Sequence, residues 1–153
     1  MRLTVYTDYA LRMLIYLAIR DDGQARVGDV ADSYGISRNH LLKVALELGR
    51  LGYVTTTRGR SGGISLAKAP QDINLGEVVR HMEDDFGLVE CLRAHGACCI
   101  APSCRLKVLV REAIGAFLAV FDEYTLADLA ADNTALRSLL DLGQGHGKLP
   151  SVA

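Results

Sequence analysis

Cys91, Cys98, Cys99 and Cys104 are the only cysteines of the 153-residue chain, and they fall within fourteen consecutive positions of the stretch VECLRAHGACCIAPSCRLK. Cysteines recruited for core packing would be dispersed. Thiols gathered on a Gly/Ala/Pro-containing loop supply soft thiolate ligands, the donor set of a zinc ion or an iron–sulfur cluster. Six residues separate Cys91 from Cys98 and five separate Cys98 from Cys104. Zinc sites favour two ligands on one tight turn, as in C-x2-C, and this loop has no such pair. Wider, nearly equal gaps suit a larger object, and Gly96, Ala97 and Ala101 keep the loop slim enough to wrap one. Cys104 stands where a long helix is expected to begin, so a helix N-terminus faces its sulfur. Three thiolates leave a fourth ligand position open to Cys99, His95, water or a carboxylate from elsewhere. A zinc site and a thiol–disulfide switch use the same residue types.

A second constellation lies upstream. Arg38, Asn39, His40 and Lys43 open a segment, Arg38 to Arg50, whose Leu41, Leu42, Ala45 and Leu48 recur at helical spacing and are expected in the core. Ser37 precedes it as an N-cap candidate whose hydroxyl would accept a first-turn amide. Before it, VGDVADSYG reads as a short helix ending in a turn at Gly35. Helix, glycine turn, helix is the grammar of the helix-turn-helix, whose second helix presents its first turns to base edges in the major groove. Arg suits guanine, Asn suits adenine, and Lys serves guanine or phosphate. YVTTTRGRSGGISLA then reads as a hairpin, carrying Arg58 and Arg60 on a glycine-rich turn. A slim basic loop of this kind enters a narrow minor groove. Each charge alone is equally an ordinary solvated group. The turn, the cap, the basic helix start and the Arg-bearing wing together point to double-stranded DNA.

The elements that must position these groups follow from the apolar pattern. A first helix is expected over about Thr7 to Arg20, and another over Leu75 to Asp84. A long helix is expected over about Arg105 to Tyr124, with Leu106, Leu109, Val110, Ala113, Ile114, Phe117, Val120 and Phe121 stepping by three and four. Its apolar surface is wider than one stripe and so must be buried on more than one side. The simplest second partner is another copy of the chain. Thr125 caps a short helix, and another runs from Asn133 through Leu142. Charge is asymmetric: ten Lys/Arg against six Asp/Glu through Pro70, a balance of +4, then seven against twelve, a balance of −5. That division fits a nucleic-acid module (1–70), a cluster loop with a dimer helix (71–142) and a mobile tail (143–153). The longest conspicuous apolar run, AIGAFLAVF, is nine residues, against the roughly 18 of a membrane span. With no secretory pattern, the expectation is a cytoplasmic protein with reduced thiols and no membrane partner. No catalytic acid–base pair or phosphate loop is visible, so no enzyme is expected.

MRLTVYTDYALRMLIYLA at the start, SRNHLLKV, the wing RGRSGGISLAK and C-x6-C-x5-C followed by RLK resemble the iron–sulfur winged-helix transcriptional repressors, relatives of IscR and RirA. Asp8 in YTDYALR and YTLADLAADN after the long helix resemble most the nitric-oxide-sensing NsrR branch. The resemblance covers about Met1 to Leu140. It implies a mainly α fold with a small β wing, and a homodimer binding a palindromic operator. It implies cluster ligation by Cys91, Cys98 and Cys104, with Asp8 of the partner subunit as fourth ligand. The cluster would be 4Fe–4S, with 2Fe–2S as the alternative, and nitric oxide would be the signal. Without the resemblance Asp8 is an acid in a first helical turn. The chain departs from the pattern in its extra Cys99 and in a longer gap after Cys91, either of which would let Cys99 replace Cys98. Sister branches sensing iron or cluster supply have similar loops. A protein of electron transfer or cluster delivery is a further class, opposed by the basic front half and the wing.

Overall fold

A computed structural model describes residues 2–57, 59, 62–83, 85–93 and 95–140. Arg58 and Arg60 of the wing and the expected tail, 143–153, lie outside the described residues. The described chain is mostly helical: α1 (Val5–Ala18), α2 (Val27–Tyr34), α3 (Arg38–Arg50), α4 (Leu75–Met82), α5 (Arg105–Asp122), α6 (Leu126–Ala130) and α7 (Thr134–Leu139). Three short strands, β1 (Gln24–Ala25), β2 (Val54–Thr57) and β3 (Gly63–Leu66), form an antiparallel sheet in the order β1-β3-β2. The expected hairpin is β2 and β3, with Val54 opposite Leu66 and Thr57 opposite Gly63. β1 is an unforeseen third strand, pairing Gln24 with Ser65 and Ala25 with Ile64.

α1 starts two residues earlier than its apolar pattern suggests, because Thr4 is the cap and its hydroxyl accepts the Thr7 amide at 3.3 Å. Ala10, Met13, Leu14, Tyr16 and Leu17 then face the core. α2 ends where Gly35 takes a left-handed conformation (φ 64°), which a side chain would resist. The turn is fixed by the Ile36 amide on the Ala31 carbonyl at 2.9 Å. α3 buries Leu41, Val44, Ala45 and Leu48 against α1 and α2. Leu42, expected inside, is exposed: it lies 100° around the helix from Leu41, and the four buried positions already fill the inward arc. α4 stops at Met82, short of Asp84, because Glu83 turns to extended backbone.

One hydrophobic cluster joins α1, α2, α3 and the sheet to Ile73, Leu75, Val78 and Met82 around α4, to Leu126 of α6 and to Leu140. α4 and α6 therefore share the core of the helix-turn-helix. α5 touches it lightly. Of its eighteen residues only Leu118 is buried, while Val110, Ile114, Phe117 and Phe121 are half-buried. Two ties fasten α5 and α7: Arg80 pairs with Asp122 through both nitrogens, and Arg137 grips Asp21 and the Ile19 carbonyl.

Candidate nucleic-acid interface and thiol loop

The DNA-facing candidates occupy one surface of α3. Ser37, Arg38, Asn39, His40 and Lys43 are all exposed. Ser37 holds the N-cap position, and its carbonyl accepts the Leu41 amide at 3.1 Å. Its hydroxyl does not make the expected capping bond. Among the described residues Arg38, Asn39 and Lys43 have no hydrogen-bond or ionic partner, so their donors face water. His40 lies beside Tyr9 of α1, ring centroids 6.4 Å apart. Arg50, at the far end, is bound to Glu47 at 2.8 Å.

The wing is anchored at its root. Tyr53 is buried, and its amide donates to the Leu48 carbonyl at 2.9 Å, joining the end of α3 to β2. Its hydroxyl meets His81 Nδ1 of α4 at 2.8 Å, and the Lys68 ammonium lies 5.2 Å from its ring centroid. Burial pushes the Tyr53 phenol up, so it stays neutral and can donate to the imidazole. The outer strand, β2, turns Thr55, Thr56 and Thr57 to solvent, and Thr55 hydrogen-bonds Ser65 across the hairpin at 2.9 Å.

The thiol loop runs from α4 to α5 through two 3-10 turns, Glu90–Leu92 and Ala101–Ser103. Cys91 sits in the first turn, and Cys104 is the N-cap residue of α5. The first turn packs against α5. At Gly96 the chain folds back so closely on the Glu90–Cys91 backbone that a Cβ would collide with the Glu90 carbonyl. Gly96 thus lays the middle of the loop back onto its first turn. Cys91, Cys98 and Cys104 are half-buried free thiols, and Cys99 is exposed. The donor chemistry and the folded-back loop fit a thiolate-held group. The side chains themselves are not drawn together: among the described residues no three His, Cys, Asp or Glu converge into a set that would hold a metal ion.

Asp8 lies in the first turn of α1 and is held by Arg12 through both carboxylate oxygens, at 2.9 and 3.1 Å. Arg12 in turn stands over the Tyr34 ring at 5.8 Å. Tyr34 donates to the Arg12 carbonyl at 3.2 Å, and burial raises its phenol to about 12. Asp8 is thus oriented, yet its side chain remains 46% exposed. One residue had no sequence signal. Glu83, where α4 gives way to the loop, accepts the Thr4 amide at 2.7 Å and the buried Thr7 hydroxyl. A carboxylate beside a helix N-terminus is favourable, and this one fastens the start of the thiol loop to the start of α1. Only the burial of Thr7 betrays it.

Residues 3–132 match the model of the Rrf2 family, described as an iron-dependent transcriptional regulator. The chain is 53% identical over 142 residues to an HTH-type transcriptional regulator NsrR of Bacillus licheniformis, covering 92% of this chain and 99% of that one. It is 51% identical over 144 residues to the NsrR of Bacillus subtilis, with 93% and 99% covered. The solved structure of T. potens IscR superposes with a TM-score of 0.67 at 22% identity, over 96% of this chain and 94% of that one, and shows the same fold. No described helix is long and apolar enough to cross a membrane. A winged helix-turn-helix, matched along nearly its whole length by named regulators, places this chain in the Rrf2 family, as a transcriptional regulator and not an enzyme.

Proposed function

We propose that the chain is a cytoplasmic, homodimeric repressor that binds operator DNA with an iron–sulfur cluster in place and lets go when nitric oxide reaches that cluster. The observation that carries this reading is the combination of a half-buried thiol set on a folded-back loop with about 50% identity to NsrR regulators along almost the whole chain. Cys91, Cys98 and Cys104 hold the cluster, and Cys99, turned to solvent, does not. Asp8 of the partner subunit is the fourth ligand. The group is a 4Fe–4S cluster, which when bound supplies an oxygen-ligated iron as the reactive corner.

The rest is done by the chain. Residues 1–70 read DNA: Ser37, Arg38, Asn39, His40 and Lys43 from α3 in the major groove, and Arg58 and Arg60 from the wing in the minor groove. Residues 71–142 carry the thiols and the dimer seam. Leu106, Leu109, Ala113, Ala116 and Val120 recur at three- and four-residue steps and are all exposed. That apolar stripe wants a second α5 across it. Asp8, one turn into a helix that packs on α3, joins the reading head of one subunit to the thiol loop of the other. Asp8 would thereby couple the state of the group to the spacing of the two heads, which half-sites about one DNA turn apart demand.

Anaerobically purified protein is expected to be brown. Cys91→Ala, Cys98→Ala and Cys104→Ala should each abolish the visible absorption, and Cys99→Ala should retain it. Retention in Cys98→Ala with loss in Cys99→Ala reverses that assignment, and colourless protein overturns the cluster reading. Stoichiometric nitric oxide should lower the operator affinity of wild type and change that of Asp8→Ala far less. A variant that switches as fully as wild type removes Asp8 from the mechanism.

A further inference from the structure

Leu46 is 68% exposed and Leu42 is 46% exposed, both on the side of α3 turned from the core. Neither packs within the chain's hydrophobic cluster. Four-residue spacing sets Arg38, Leu42, Leu46 and Arg50 along one ridge, with Asn39, Lys43 and Glu47 along the next. The outward face is therefore two bare leucines with a cation at either end and an amide and an ammonium alongside. An apolar protein surface covering the leucines would have to desolvate Arg38 and Lys43, for which the helix offers no carboxylate. Glu47, its one acid, is taken by Arg50. A DNA major groove suits both halves of the pattern. Phosphates lie along its rims for the cations, and its floor displays one kind of apolar group, the C5-methyl of thymine.

We propose that Leu42 and Leu46 are specificity-determining residues that recognise thymine methyl groups in the major groove. The proposal rests on the DNA-binding reading of α3 and adds what base chemistry that helix selects. Four helical residues rise about 6 Å, and stacked bases repeat at about 3.4 Å. The two methyls therefore lie about two base steps apart in each half-site.

The test uses full-length, cluster-loaded protein and a duplex enriched by it from a random-core double-stranded library. Each thymine of that duplex is replaced in turn by deoxyuridine, which removes the methyl and keeps the base pairing. Replacement at two positions per half-site, about two steps apart, should weaken wild-type binding about fourfold each, the worth of one buried methyl-sized group. Leu42→Ala and Leu46→Ala should each become indifferent to one of those positions while unfolding at the wild-type temperature. Wild-type affinity unmoved by every replacement, or leucine variants that keep full sensitivity to it, would overturn the assignment. So would variants changed in oligomeric mass but not in DNA affinity, which would give this face to a second copy of the chain. A library that fails to enrich removes the DNA-binding reading itself. Enrichment with silent deoxyuridine removes only the leucines.

Discussion

α3 and α5 are both amphipathic, and they use their apolar residues in opposite ways. α3 places Leu41, Val44, Ala45 and Leu48 wholly in the core. Its position is dictated from within by α1 on one side and α2 on the other. α5 has more apolar residues and buries only Leu118, leaving Leu106 and Leu109 more than half exposed. One helix is packed from within its own chain, whereas the other leaves most of its apolar surface uncovered. The thiol loop leads into that second helix.

The sharpest way to break this contrast is to cut the same side chain in both helices. Leu41→Ala should destabilise the folded chain by about 3 kcal/mol, since it opens a cavity among fully buried neighbours. Leu109→Ala should cost under about 0.5 kcal/mol in the same denaturation at dilute concentration, and should weaken self-association instead. Equal losses would mean that α5 is as much a part of the single-chain core as α3.

The sheet offers a second probe. An added Cβ at Gly63 would lie 2.5 Å from the Ala25 carbonyl, a backbone atom that cannot swing away. Gly63→Ala should therefore cost about 2 kcal/mol by overpacking, with exchange of the β1 and β3 amides accelerated. No such loss would mean that β1 is not held against the wing. Glu83→Ala should cost about 1 kcal/mol, because the Thr4 amide and the buried Thr7 hydroxyl lose their shared acceptor. Exchange protection at the first turn of α1 should fall with it, whereas Glu83→Gln should restore most of both.

These differences mark how much of the molecule was written locally. α3 was legible to the residue, because an apolar repeat runs between Ser37 and Gly52, even though the Ser37 hydroxyl makes no capping bond, and β2, β3 and the turn at Gly35 were legible from equally local patterns. β1 was not, since two residues have no period and pair only through a register that begins near residue 64. Leu42 was misplaced because one apolar position too many fitted the helical repeat. How much of the arc the core fills depends on α1 and α2, not on α3. At the site, the thiols and the exposed cations of α3 were plain from residue type and spacing. The Glu83 tie was not, because its partners lie 76 and 79 positions away. The fold-back of the loop at Gly96 onto Glu90 and Cys91 depends on a close backbone approach that composition alone does not reveal.

The smallest expected effect lies at the junction after α1, where Arg20 and Asp22 pair at the surface between the buried Ile19 and Ala25. Arg20 donates to both carboxylate oxygens of Asp22 at 2.7 Å, and this holds Asp22 down to about 2 from its ordinary 3.8. A carboxyl with a depressed folded-state pKa stabilises fully above its unfolded value. That contribution is present above about pH 4 and fades as the pH falls toward 2. The pair is open to water, with Asp22 58% exposed, so its worth is under about 1 kcal/mol. Asp22→Asn should therefore lower stability slightly at pH 7. Its stability should converge on that of wild type between pH 4 and 2, in matched denaturation series at each pH. A constant offset across that window would mean that the loss does not come from the ionised pair with Arg20, since the asparagine oxygen can still accept the Gln24 amide that Asp22 accepts at 3.2 Å.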